Sequence, residues 1–231
     1  LILMCYEPIS SLLGTYILDP EDQEIFKSFM QSQVIDQERE ALLEKRIPSV
    51  TAIYDDTSKK VEKMYMENPY PRWISVNFSG KQEYLSLSDR RSSRGEILVA
   101  GCGTGQHALY VALRYKNCHV TALDLSRRSL AYAKRKTEEM GVTHVDYVQG
   151  DILELGSWNR RFDMIESAGV LHHLADPLKG LDILLGLLKP GGVMMLGLYS
   201  EIARAPIVIA RHDIAARGIM AAPNQIRAYR I

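Results

Sequence analysis

Glycine recurs at alternate positions in Gly101-Cys102-Gly103-Thr104-Gly105, directly after the apolar run Ile97-Leu98-Val99-Ala100. Such spacing lets the chain turn sharply and lets a ligand approach main-chain N–H groups that no side chain shields. Residues Gln106 to Tyr115 read as a helix, so those N–H groups sit at its positive end, suited to an anionic or strongly polar part of a nucleotide-like ligand. Nineteen positions beyond Gly105, Asp124 closes a second apolar segment, where a carboxylate can accept both hydroxyls of a ribose. Asp151, in Gly150-Asp151-Ile152, closes a third. A nicotinamide-binding unit accounts for Asp124 but has no comparable need for Asp151. His172 and His173 follow a fourth apolar segment. A neutral imidazole there can take a proton from an acceptor, an effect worth about 10²–10⁴-fold, and the bland alternative is that one ring packs while the other orders the loop. Cys102 has no neighbouring His/Asp set and reads as a small loop residue. Cys118-His119 lacks further ligands at zinc spacing, so no metal is expected.

The elements that must position these groups alternate regularly. Strands are expected near 96–100, 118–124, 144–149, 162–167 and 192–199, with helical patterns between them that include Arg127 to Met140 and Pro177 to Leu188. The first strand is apolar on both faces, as in a parallel sheet covered by helices. Strand–helix alternation implies right-handed crossovers and an α/β fold.

From about Gly95 to Ser200 the residues resemble the class I S-adenosylmethionine-dependent methyltransferases, in the type 11/12 domain group. Gly101 to Gly105 is similar to the family's first motif, Ala122-Leu123-Asp124-Leu125-Ser126 to the second and Gln149-Gly150-Asp151-Ile152 to the third. Phe162-Asp163-Met164-Ile165 with Gly169-Val170-Leu171-His172-His173-Leu174-Ala175-Asp176-Pro177 resembles the fourth-strand block, and Leu188-Lys189-Pro190-Gly191-Gly192 the turn before the fifth strand. The resemblance implies a Rossmann-like, doubly wound, mainly parallel sheet of order 3-2-1-4-5, with the ligand at the switch point between strands one and four. It implies S-adenosyl-L-methionine as cofactor. Gly101, Cys102, Gly103, Thr104 and Gly105 would hold its methionine end, Asp124 the ribose and Leu125 one adenine face; Asp151 would take the adenine amino group, the Ile152 N–H a ring nitrogen, and Ser167 would join the set. His172 is the expected catalytic residue. Each acid has an alternative role as a helix N-cap. Many relatives carry an acid at the position of Val99, where it organises the methionine amino group. Here backbone carbonyls or another acid, Glu166 among them, would have to replace it.

With 231 residues and 46% hydrophobic content the chain can bury one substantial core. Zero formal charge argues against nonspecific attraction to nucleic acid or anionic membrane, while Arg90, Arg91 and Arg94 leave a specific RNA open. Three widely spaced cysteines, Cys5, Cys102 and Cys118, fit a reducing compartment, and cytoplasm is expected. Leu1-Ile2-Leu3-Met4 breaks at Glu7-Pro8 and reads as neither signal peptide nor membrane span. The missing initiator Met points to a cut or partial chain.

Residues 1–78 read as a helical N-terminal extension, with an expected helix start at Asp19-Pro20 and a short helix from Ser58 to Glu67. It ends at Asn68-Pro69-Tyr70-Pro71-Arg72-Trp73, whose prolines fix an extended path. A similar block precedes the domain in bacterial members joined to tetratricopeptide repeats, although no repeat of roughly 34 residues is visible here. Tyr70 and Trp73 either form part of a lid or simply pack. Residues 79–95 read as a linker, 96–200 as the methyltransferase core, and 201–231 as a truncated C-terminal helical segment, with a helix from Ala205 to Arg217, a polar tail and no sixth or seventh strand. The leading function is methyl transfer to an unidentified acceptor, a small molecule favoured over RNA or protein. The rivals are a non-catalytic methyltransferase-like binding or assembly module and an NAD-dependent oxidoreductase.

Overall fold

The computed structural model describes residues 30–76, 95–220 and 222–230. The helix start at Asp19 and positions 79–94 of the expected linker lie outside them. Two compact units are formed, Leu1–Leu196 and Gly197–Ile231.

In the first unit, a single wide turn at Gln31–Ile35 runs into helix α1 (Asp36–Glu44), followed by α2 (Asp56–Glu67). Strands β1 (Glu96–Ala100), β2 (His119–Asp124), β3 (Val145–Gln149), β4 (Phe162–Ala168) and β5 (Leu188–Gly197) then alternate with α3 (Gln106–Arg114), α4 (Arg127–Glu139) and α5 (Pro177–Gly186). The sheet order is β3-β2-β1-β4-β5, with β1–β2, β1–β4 and β2–β3 parallel. Alternate residues of β1 feed opposite cores. Ile97 and Val99 pack with Ala108, Val111 and Ala112 of α3 and with Leu130 and Ala131 of α4. Leu98 and Ala100 pack with Phe162, Ile165, Leu184 and Leu187. Burial on both faces is what a central parallel strand requires.

The span assigned to β5 starts at Leu188, earlier than the sequence reading, and ends at Gly197. The expected turn nevertheless lies within it: Gly191 has φ +71°, and a Cβ on Gly192 would lie 2.9 Å from the carbonyl oxygen of Lys189, three residues back, an approach that extended chain cannot make. The same Cβ would lie 3.1 Å from the Asp163 carbonyl oxygen of β4, so glycine also permits the two strands to approach here.

Residues 30–76 are fastened to this core. Arg135 of α4, 4% exposed, pairs with Glu40 and Asp36 of the N-terminal region and with Glu139, while Arg72 donates to both oxygens of Glu40. Ser49 forms a parallel bridge with Gln149, with hydrogen bonds of 2.8 Å from Val50 N–H to the Gln149 carbonyl and from Gln149 N–H to that of Pro48.

The second unit contains α6 (Ala205–Ala216) and α7 (Pro223–Tyr229). The stretch read as a polar tail contains α7. Pro223 opens α7 where a missing N–H costs nothing, and the Tyr229 hydroxyl donates to the Ala210 carbonyl at 3.2 Å. No helix of the described residues is long and apolar enough to cross a membrane.

Candidate functional site

β1, β2 and β3 end along one edge of the sheet, and the loops leaving them border a cavity of about 360 Å³. Gly101, Cys102, Gly103 and Thr104 enter its wall from the loop after β1, Asp124 and Leu125 from the end of β2, and Gly150, Asp151 and Ile152 from the end of β3. Ala168, Gly169, Val170, His173 and Leu174 follow β4, and α2 with the segment after it brings Ser58, Val61, Tyr65, Tyr70 and Pro71. Of the expected site residues, Gly105, Ser167 and His172 do not border the cavity.

The glycine loop works differently from the sequence reading. Four of its five N–H groups face the protein: those of Gly101 and Cys102 donate to the Leu123 carbonyl at 2.8 and 2.9 Å, Gly103 to Asp124 Oδ2 at 2.8 Å, and Gly105 to the Cys102 carbonyl at 2.9 Å. The loop therefore offers room more than bare donors. Gly101 has φ +78°, and a Cβ there would strike Val170 at 2.3 Å, so it lets the β1 and β4 loops touch. A Cβ on Gly103 would meet only the Tyr70 carbonyl, at 4.0 Å, and would project into open space.

The two acids are held in different ways. Asp124 accepts one N–H on each oxygen, from Gly103 at 2.8 Å and from Ser126 at 2.9 Å. Ser126, not Asp124, caps α4 through the Ser129 N–H, so the capping alternative does not hold for Asp124. Burial pushes the Asp124 carboxyl above its ordinary value, against the backbone N–H groups of Ser126, Gly103 and Leu125 that favour the charge. Asp151 does cap the short turn Ile152–Ser157: its Oδ1 accepts from Leu153 N–H at 3.0 Å, and its own N–H donates to Thr51 Oγ1 at 2.8 Å. Its Oδ2 is buried without a hydrogen-bond partner among the described residues. A buried oxygen in that state calls for a donor, from water or from a ligand.

Burial first, and the Asp124 charge second, push the Cys102 thiol well up, which keeps it protonated and inert. Ser167 is buried with its hydroxyl unpaired among the described residues. Of the histidine pair, His173 borders the cavity and His172 lies against it, ring centroids 4.3 Å apart.

Thr104 ties the glycine loop to the Asn68–Trp73 segment. Its hydroxyl donates to the Pro71 carbonyl at 2.5 Å, and its carbonyl accepts from the Trp73 indole N–H at 2.8 Å. Trp73 is buried against Leu109 and Tyr132 and so packs, whereas Tyr70 stands 73% exposed at the cavity.

Sequence reasoning passed over His107 and the α2 side chains. His107 borders the cavity, and its Nε2 lies 2.5 Å from Oε2 of the buried Glu166, the residue registered against Val99. Its single local signal is its place two residues after Gly105.

Residues 97–192 match the family model of a methyltransferase domain. An uncharacterized protein of Synechococcus sp. is 34% identical over 172 residues, which are 72% of this chain and 40% of that protein. The probable (S)-tetrahydroprotoberberine N-methyltransferase 2 of Papaver bracteatum is 38% identical over 78 residues, 34% of this chain and 22% of the enzyme. A demethylmenaquinone methyltransferase of Clavibacter sepedonicus is 28% identical over 189 residues, 80% of this chain and 71% of the enzyme. The chain thus spans less than half the length of the first two relatives. With the sheet order and the motif positions described above, these matches make residues 97–192 a domain of the class I S-adenosylmethionine-dependent methyltransferase family.

Proposed function

We propose that the chain binds S-adenosylmethionine in this cavity and transfers its methyl group to a small-molecule acceptor. The observation that carries the donor reading is Asp151 Oδ2, partnerless among the described residues, on the same rim as Asp124 and the space beside Gly103. A buried acceptor left without a donor costs about 1–3 kcal/mol, which an adenine amino group would recover. Each Asp124 oxygen keeps a lone pair beyond its backbone bond, enough for the two ribose hydroxyls. Leu125 and Ile152 offer apolar surface to the base, and Gly103 leaves room for the sulfur half.

The bound donor supplies an electrophilic methyl on a sulfonium sulfur. What the protein adds is positioning, and alignment of two bound reactants is worth roughly 7–11 kcal/mol of barrier. Val61, Tyr65 and Tyr70, from residues 30–76, line the cavity opposite the strand ends, and a cavity of this size fits a compact acceptor. Two relatives are named for demethylmenaquinone and (S)-tetrahydroprotoberberine, which supports an acceptor of low molecular weight. His172 or His173 would take the acceptor's proton; near-normal turnover of both single alanine variants ends that role. The free thiols of Cys102 and Cys118 fit a reducing, cytoplasmic setting.

Calorimetry with S-adenosylmethionine and with NAD tests the donor, and binding of the first alone is expected. Donor carrying a labelled methyl, incubated with fractionated cell extract, tests the acceptor. Label in the low-molecular-weight fraction is expected, label in macromolecules transfers the assignment to RNA or protein, and binding without transfer leaves a donor-binding module.

A further inference from the structure

We infer that His107, held by Glu166, is the polar anchor for the amino-acid end of the donor, an assignment that rests on the donor reading above. Glu166 lies near the end of β4 with its side chain 6% exposed. A carboxylate so placed needs a partner. That partner is His107 Nε2 at 2.5 Å, in the first turn of α3. With Nε2 donating to a fixed carboxylate, ring orientation and tautomer are set and Nδ1 becomes an acceptor backed by negative charge. His107 borders the cavity, whereas Glu166 does not, so the imidazole carries the influence of the buried acid to the ligand.

The sheet order gives the direction. Asp151, Asp124, the glycine loop and Glu166 follow one another across β3, β2, β1 and β4. A ligand with its adenine at Asp151 and its ribose at Asp124 crosses Gly101 to Gly103 and reaches the β1–β4 side, where the His107–Glu166 pair stands. The end of the donor that arrives there is an α-amino acid. Its ammonium has an N–H for Nδ1 and a charge complementary to that of Glu166. Val99, registered beside Glu166, supplies no polar group of its own, so the pair fills a need that β1 leaves unmet.

The test is calorimetry of the full chain with three probes: S-adenosylhomocysteine, its des-amino analogue 5′-S-(3-carboxypropyl)-5′-thioadenosine, and 5′-methylthioadenosine. Wild-type protein should bind the first at least about tenfold more tightly than the second. His107→Ala should erase that preference and leave 5′-methylthioadenosine affinity within about twofold, and Glu166→Gln, which keeps a hydrogen-bond partner for His107, should reduce the preference in part. Unchanged preference in both variants overturns the assignment and gives His107 to another ligand. Equal loss of all three probes also overturns it, because the pair then serves only the scaffold. A wild-type protein that binds none of the probes removes the donor reading itself.

Discussion

Asp124 and Asp151 close neighbouring parallel strands, yet they have different amounts of bonding capacity left: both oxygens of the first already accept from backbone, and one oxygen of the second accepts from none of the described residues. Asp151→Ser keeps a capping oxygen for the Leu153 N–H and deletes the spare acceptor. Its affinity for S-adenosylhomocysteine should fall about tenfold or more while the melting temperature of the free protein stays nearly constant, measured by calorimetry and thermal unfolding. Asp124→Ala removes the carboxylate that accepts two backbone N–H groups, together with the proposed ribose contact, and should lose both binding and stability. The order and spacing of these acids were legible in the sequence, since each terminates an apolar run. The His107–Glu166 pair was not, because the residues stand 59 positions apart and meet only through β1–β4 pairing. Nor does a pattern resolve His172 from His173: in a turn of about three residues, one step swings a side chain by a third of a circle.

Among the elements, β1 to β4 were legible from their apolar runs to within a residue or so, because burial on both faces leaves few alternatives to a parallel strand. The start of β5 was legible only in part: the turn at Lys189 to Gly192 is present, but the strand assignment that reaches back to Leu188 was not foreseen. The Ser49–Gln149 bridge was equally hidden, being a single contact between distant segments. Trp73, by contrast, shows how the N-terminal segment steadies the glycine loop: Trp73→Ala should cost about 3–5 kcal/mol in urea unfolding and weaken S-adenosylhomocysteine binding through Thr104. The contact of β3 with α4 carries a pH signature. Tyr147 is buried, its hydroxyl lies 2.6 Å from Thr137 Oγ1, and burial outweighs that bond to push its pKa far above 10. The native state thus holds the Tyr147 proton after the unfolded chain has released its own. The resulting stability is complete below about pH 10 and is lost as pH rises beyond it, by about 1.4 kcal/mol per pH unit. Tyr147→Phe should be about 1 kcal/mol less stable at pH 8, with a shallower alkaline decline, and parallel profiles in urea unfolding from pH 8 to 10.5 would contradict this.

At the scale of the molecule, sheet order and family were legible because the motif blocks occur in sequence in the order the fold needs. The part played by residues 30–76 was not, since amphipathic helices give the same pattern whether they cover a core or wall a site. Here α2 and Tyr70 line the cavity, and Thr51 holds the backbone of Asp151. The proposed donor site is therefore built jointly by the parallel sheet and the chain that precedes it. A crystal structure of the protein with S-adenosylhomocysteine tests this most directly. The account predicts the ribose hydroxyls on Asp124, the adenine amino group on Asp151 Oδ2 and the amino-acid end beside His107; a ligand bound elsewhere, or one that leaves Asp151 Oδ2 without a donor, would contradict it.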